Sequence, residues 1–287
     1  MSEIMKRISQ IGIVPVVVLE DAEKAVSVAK SLAAGGIDCA EVTFRTAAAE
    51  ESIRRIAAEC PDLLLGAGTV LTTEQVEKAV NAGAKFIVTP GYNPKVVNYC
   101  VERGIPIVPG CMDTNAIEMA LEAGLDTVKF FPAEAAGGLP MMKALAGPYT
   151  RLKFIPTGGV SKDNLKDYLG FKKVVACGGS WMVKGDLVKN NQFDEIERLS
   201  RDAVASMLDL KVSQVKAGDA AEGLQAPLLA GVLGCGEEVG CIEITTTSLE
   251  RAMYHLSKQG VEFGQPCGKE VCLTQKVNGM TVKLKEK

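Results

Sequence analysis

Along the first two hundred positions, apolar and polar residues alternate in two rhythms. Short β-branched runs read as strands, and longer stretches with apolar residues three and four apart read as helices. The runs are Ile13–Val18, Ile37–Phe44, Leu63–Gly66, Lys85–Val88, Pro106–Val108, Thr127–Phe131, Phe154–Pro156 and Lys173–Cys177. Between them the spacing predicts helices over Ala22–Ala34, Ala47–Glu59, Thr73–Ala82, Pro94–Arg103 and Thr114–Ala123. Several of these close on glycine, as in Ala34-Gly35-Gly36, Ala82-Gly83, Arg103-Gly104 and Ala123-Gly124. Strands that alternate with helices pair in parallel, and eight such units in about 200 residues predict an α/β protein built as a (β/α)8 TIM barrel. An open doubly wound sheet would place a glycine-rich dinucleotide turn after its first strand, and Leu19-Glu20-Asp21-Ala22 is no such turn.

Beyond a helix predicted over Phe193–Leu208 the chain turns small and polar. We expect a barrel over 1–212, a linker over 213–226 containing Lys216-Ala217-Gly218-Asp219-Ala220-Ala221-Glu222-Gly223, and a small α+β module over 227–287. In that module Gly240–Thr246 reads as a strand, and Ser248–Gln259 as a helix capped by Ser248 and closed by Gly260. Strands over Val261–Phe263 and Glu270–Lys276 follow, and an Asn278-Gly279 hairpin signal leads into a last strand, Met280–Leu284. This βαβββ order resembles a single module of the glyoxalase, or vicinal-oxygen-chelate, type, a kind that normally works in pairs. Glu243 is the sole plausible metal ligand in its first strand and Leu284 ends its last, so packing or oligomerisation is the expected role and no metal is expected.

Composition narrows the function classes. The 287 residues are 47% hydrophobic and carry a formal net charge of −3, with no lysine- or arginine-rich run to mark a nucleic-acid or anionic-membrane surface. The apolar stretch Ile11–Leu19 contains Gly12 and Pro15, lacks a following small-residue cleavage site and is too short to span a bilayer, so a cytoplasmic protein is expected. Nine cysteines lie scattered with no C-x-x-C pair, which suits reduced thiols better than a disulfide framework or a zinc site. His255, the single histidine, excludes a histidine-rich metal centre.

Lys129 stands inside the apolar run Leu125-Asp126-Thr127-Val128-Lys129-Phe130-Phe131-Pro132. Taken alone, such a lysine snorkels, packing its stem while its head reaches water or a carboxylate. The alternative is a nucleophile, because burial disfavours the ammonium form and leaves an amine able to attack a carbonyl. Glu41 likewise interrupts an apolar strand, as a proton-shuttling partner or as half of a structural salt bridge to Arg45 or Lys129. Arg45 suits a bidentate grip on a substrate carboxylate, or is an exposed loop arginine. Two glycine pairs, Thr157-Gly158-Gly159-Val160-Ser161 and Cys177-Gly178-Gly179-Ser180-Trp181, fall after strands seven and eight, where such barrels often bind phosphate. One pair alone would mean only a tight turn.

Together these motifs resemble the class I aldolase family acting on 2-keto-3-deoxy-6-phosphogluconate and 4-hydroxy-2-oxoglutarate. The matching text is Glu41-Val42-Thr43-Phe44-Arg45-Thr46, Gly66-Ala67-Gly68-Thr69-Val70-Leu71, Thr89-Pro90-Gly91, Lys129-Phe130-Phe131-Pro132-Ala133-Glu134, Pro156-Thr157-Gly158-Gly159-Val160 and Gly178-Gly179-Ser180-Trp181. The resemblance implies that Lys129 forms the Schiff base and Glu41 is the general acid and base. It further implies that Arg45 holds the substrate carboxylate, that Thr69, Pro90 and Phe131 surround the keto carbon, and that Thr157, Gly158, Gly159, Gly178, Gly179 and Ser180 line the phosphate end. No cofactor is implied, the substrate is a small 2-keto acid, and a homotrimer is the expected assembly. Val18 stands where some members carry an arginine, so an anion contact from the first strand is missing. Competing readings are an aldolase for the galactonate epimer, a phosphate-binding barrel isomerase with no need of a buried lysine, and a non-catalytic phosphosugar-acid sensor.

Overall fold

The computed structural model describes residues 2–216, 240–277 and 280–287, and they fall into two compact units, Met1–Ser206 and Met207–Lys287. The first unit contains eight strands: β1 (Ile13–Val17), β2 (Cys39–Thr43), β3 (Leu64–Gly68), β4 (Phe86–Val88), β5 (Ile107–Val108), β6 (Thr127–Phe130), β7 (Lys153–Pro156) and β8 (Cys177–Gly179). All pair in parallel. Every residue of β1, β2 and β3 is buried, the signature of a parallel sheet covered on both faces.

The ladders resolve as a six-stranded sheet, β5-β4-β3-β2-β1-β8, and a separate pair, β6-β7, instead of one continuous sheet of eight. Single parallel bridges, Gly110 to Lys129 and Thr157 to Gly178, link the pair to β5 and β8. Pro106 and Pro109 bracket β5, and a proline cannot donate to a ladder, so this strand is only two residues long. The last strand also sits later than its β-branched residues suggest. Val174 makes one isolated bridge to Phe154, and the ladder with β1 forms over Cys177–Gly179, opposite Ile13–Pro15.

One helix precedes β1 and helices follow each of the eight strands. They are α1 (Glu3–Ile11), α2 (Ala25–Ala34, after a 3-10 turn over Ala22–Lys24), α3 (Ala49–Glu59), α4 (Thr73–Ala82), α5 (Pro94–Glu102), α6 (Thr114–Glu122), α7 (Gly138–Ala146), α8 (Leu165–Gly170), α9 (Gly185–Lys189) and α10 (Phe193–Leu208). The apolar spacing locates α2 to α6 and α10 within two or three residues, while α1, α7, α8 and α9 are additional to the predicted helices. In α1 the side chain of Ser2 accepts from the Met5 N–H, and Met5, Ile8 and Ile11 form its buried stripe. The start of α4 is held reciprocally: Thr72 accepts from the Gln75 N–H at 3.3 Å, while the Gln75 side chain accepts from the Leu71 N–H at 2.7 Å.

The second unit is a four-stranded sheet in the order β11-β12-β10-β9, formed by β9 (Lys211–Lys216), β10 (Cys241–Thr246), β11 (Glu270–Cys272) and β12 (Thr281–Glu286), with helix α11 (Leu249–Ser257) between β10 and β11. β10 and β12 are parallel, while β9 and β11 run antiparallel to their neighbours. Residues 213–216, expected in a linker, belong to β9, because Val212 and Val215 pair with Ile244 and Ile242. Val261–Phe263 forms only an isolated bridge, Phe263 to Leu273. Ser248 caps α11 as its sequence suggests. Glu243 accepts from the Ser213 hydroxyl at 2.9 Å. The Asn278-Gly279 hairpin and most of the expected linker lie outside the described residues.

Candidate active site

β2 and β6 are not neighbours in the sheet, yet each sends one charged side chain into the interior, where the two meet. Lys129 Nζ lies 3.2 Å from Glu41 Oε1, with side-chain exposures of 6% and 3%. Burial of this kind is tolerated because each charge finds a partner. The register places Glu41 beside Val16 of β1 and Gly66 of β3. Space for its carboxylate comes from Gly68, where a Cβ would collide with the Glu41 side chain. Gly66 is required for a different reason, since a Cβ there would strike the Phe86 ring. The Gly66-Ala67-Gly68 run therefore serves packing and the carboxylate.

Around Lys129 the backbone is tightly fixed. Its N–H donates to Pro109 O and its carbonyl accepts from the Cys111 N–H, both at 2.8 Å. Gly110, which bridges to Lys129, must be glycine because the Pro90 carbonyl packs on its Cα. Thr89 ties the two strand exits together, donating to Gly91 O at 2.7 Å and accepting from the Gly110 N–H at 3.3 Å. Cys111 is no rival nucleophile: burial, reinforced by Asp113, pushes its thiol up to about 12.

Beyond the pair, the Phe131 ring centroid lies 5.4 Å from Lys129 Nζ. Pro90 and Phe131 both line a cleft of about 400 Å³ that also includes Gly91, Tyr92 and Met112. The Phe131 ring in turn lies against Gly158. Arg45 is exposed just past β2, and its Nε donates to Thr69 Oγ1 at 3.3 Å. Thr69 itself holds a left-handed φ of 55°.

The two glycine pairs behave differently. Gly158 and Gly159 form a turn with φ of 94° and 82°, a backbone that side chains rarely adopt. Gly178 and Gly179 lie within β8, buried and paired with Val14 and Pro15, so they form no turn. They are small because the Thr157 side chain occupies the Cβ position of Gly178 and the Trp181 ring that of Gly179. Ser180 is exposed where β8 ends. The structure thus brings Lys129, Glu41, Phe131, Pro90 and Gly158 into one connected neighbourhood and pairs Arg45 with Thr69 and Thr157 with Gly178. Sequence reasoning gave no role to Gly68, Gly110, Thr89, Glu134 or Tyr168, whose parts depend on distant neighbours.

A lysine and a glutamate buried in contact inside a parallel α/β unit, beside a glycine turn with left-handed backbone, mark an enzyme that uses an amine nucleophile on a carbonyl substrate. Comparison with known proteins makes this specific. The family model for KDPG and KHG aldolase matches residues 4–199, and the chain belongs to that family. It is 50% identical over 201 residues to the 2-dehydro-3-deoxy-phosphogluconate aldolase of Treponema pallidum, covering 70% of this chain and 96% of that one. It is 43% identical over 192 residues to the KHG/KDPG aldolase of Escherichia coli K12, covering 67% and 90%. Among solved structures, the KDPG aldolase from Legionella pneumophila, with pyruvate captured as a covalent carbinolamine intermediate, superposes with a TM-score of 0.68. It is 36% identical and covers 70% of this chain and 98% of its own.

Proposed function

We propose that the chain is a Schiff-base aldolase that cleaves 2-dehydro-3-deoxy-6-phosphogluconate to pyruvate and glyceraldehyde 3-phosphate, and 4-hydroxy-2-oxoglutarate to pyruvate and glyoxylate. The observation that carries this reading is the buried 3.2 Å contact between Lys129 and Glu41.

In the proposed sequence Lys129 passes its proton to Glu41 across their contact, the neutral amine attacks the C2 ketone, and the Glu41 carboxyl returns that proton so that the carbinolamine hydroxyl leaves as water. The resulting iminium is the electron sink. Glu41, now a carboxylate, takes the proton of the C4 hydroxyl; the C3–C4 bond breaks, its electron pair forms the enamine, and the aldehyde departs. Return of that proton to C3 and addition of water at C2 release pyruvate and the free lysine. Arg45 holds the substrate carboxylate, with Thr69 fixing its Nε, and Pro90 and Phe131 flank the keto carbon. Thr157, Gly158, Gly159, Gly178, Gly179 and Ser180 line the phosphate end, where the left-handed turn at Gly158-Gly159 supplies close backbone approach.

Borohydride reduction in the presence of pyruvate is expected to add a pyruvyl mass to the peptide containing Lys129, and Lys129→Ala to abolish it. An unmodified peptide from active wild-type protein would sink the reading.

We also infer that the eight strands close as a (β/α)8 barrel, a reading supported by the bridges from Gly110 to Lys129 and Thr157 to Gly178. A glyoxalase-like character for the C-terminal unit, a homotrimer and a cytoplasmic location complete the proposal. The parallel β10-β12 pair with α11 between them supports the module's assignment. Among the described residues no helix is long and apolar enough to cross a membrane.

A further inference from the structure

The turn after β7 is gripped from two sides. From the β6 exit, the Glu134 N–H donates to Gly158 O at 3.0 Å and the Ala133 N–H to Thr157 O at 2.8 Å. The Glu134 side chain lies on the Cα of Gly159, where any Cβ would collide with it. From the α8 side, Asn164 Nδ2 donates to Gly159 O at 3.1 Å, and its Oδ1 accepts from the Ser161 N–H at 2.8 Å. One hydrogen bond joins the two sides: the hydroxyl of Tyr168, a buried residue of α8, donates to Glu134 Oε1. Gly138, at the start of α7, sits over this contact, with both the Tyr168 oxygen and Glu134 Oε1 close to where its Cβ would be.

We propose that Tyr168 and Glu134 are positioning residues that hold the Gly158-Gly159 turn for the phosphate of the substrate, and so set preference for a phosphorylated over an unphosphorylated keto acid. The inference rests on the reading of that turn as part of the phosphate end. Their hydrogen bonds run to the turn and to each other and not to Lys129 or Glu41, so their effect falls on substrate binding and leaves the bond-breaking steps alone. The bond needs an accepting oxygen at position 134, and its donor is inside the protein, where a lost partner is not fully replaced by water. Burial, then the bond to Glu134, raises the Tyr168 hydroxyl above its ordinary range, so it stays protonated and donating at neutral and mildly alkaline pH.

Steady-state kinetics of Tyr168→Phe, Glu134→Ala, Glu134→Gln and the Tyr168→Phe/Glu134→Ala double variant test this, with the phosphorylated six-carbon acid and the unphosphorylated five-carbon dicarboxylate as substrates. Tyr168→Phe and Glu134→Ala are expected to raise KM for the phosphorylated acid about tenfold at unchanged kcat, and to leave both constants for the dicarboxylate unchanged. Glu134→Gln, whose amide oxygen still accepts from the hydroxyl, restores the wild-type KM, and the double variant is no worse than either single one. Equal losses on both substrates would reduce the pair to a structural role and overturn the inference. So would a Glu134→Gln variant as impaired as Glu134→Ala, which would make charge the cause. Glu134 is exposed, so its variants keep the test decisive if loss of the buried hydroxyl unfolds the chain. A wild-type protein that turns over the dicarboxylate but not the phosphorylated acid would remove the phosphate-end reading and this inference together; wild-type activity on both with unaltered variants would remove only the inference.

Discussion

Gly68 shows how much of the Lys129–Glu41 contact depends on a side chain that is missing. Its backbone is ordinary strand, so alanine there is conformationally acceptable, but the new methyl occupies the volume of the Glu41 carboxylate. Gly68→Ala is expected to keep the secondary structure, as judged by circular dichroism, and to lower kcat about a hundredfold by displacing the proton-transfer group. An unaltered kcat would show that Glu41 does not act from its present place. Lys129 and Glu41 themselves were legible in the sequence, because a charge inside an apolar strand is costly and needs a reason. Gly68 was legible only as part of a motif. Its purpose was not, since it is defined by a side chain 27 positions away in the chain and adjacent only through the β2-β3 register. Tyr168 carried no signal at all: a tyrosine on a short helix reads as packing until its hydroxyl is seen to meet Glu134.

At the scale of elements, local chemistry decided helix starts well. The Thr72–Gln75 arrangement at α4 satisfies backbone donors that the helix itself cannot, and Thr72→Ala is expected to destabilise the protein by about 1 kcal/mol in urea unfolding, with activity unaffected. A loss much below that would mean water replaces the cap at no cost. Strand limits were less legible. β-Branched composition pointed to Lys173–Cys177 for β8, but the strand that pairs with β1 contains two glycines, which composition disfavours. They are strand residues because Thr157 and Trp181 fill the space their side chains would take. β9 escaped notice for the opposite reason: Lys211–Lys216 is a polar edge strand whose assignment comes from its partner, β10.

At the scale of the whole molecule, the family match ends at residue 199 and the first compact unit at Ser206, while every proposed site residue from Glu41 to Ser180 lies before either limit. A chain ending after Leu208, the last residue of α10, is therefore expected to form the reducible adduct with pyruvate at Lys129 as the full chain does. Loss of the adduct from a folded truncation would assign part of the site to the C-terminal residues. The alternation of parallel strands and helices, the two charged residues buried within them and the family could all be read from the order of residues, because periodicity, burial cost and motif order are properties of the chain read in line. Which strands form continuous ladders, why each glycine must be small, and how Tyr168, Glu134 and Gly159 come together became visible only in the folded molecule. Those outcomes depend on volumes and hydrogen bonds between residues far apart in sequence, and such contacts exist only once the strands have taken their places.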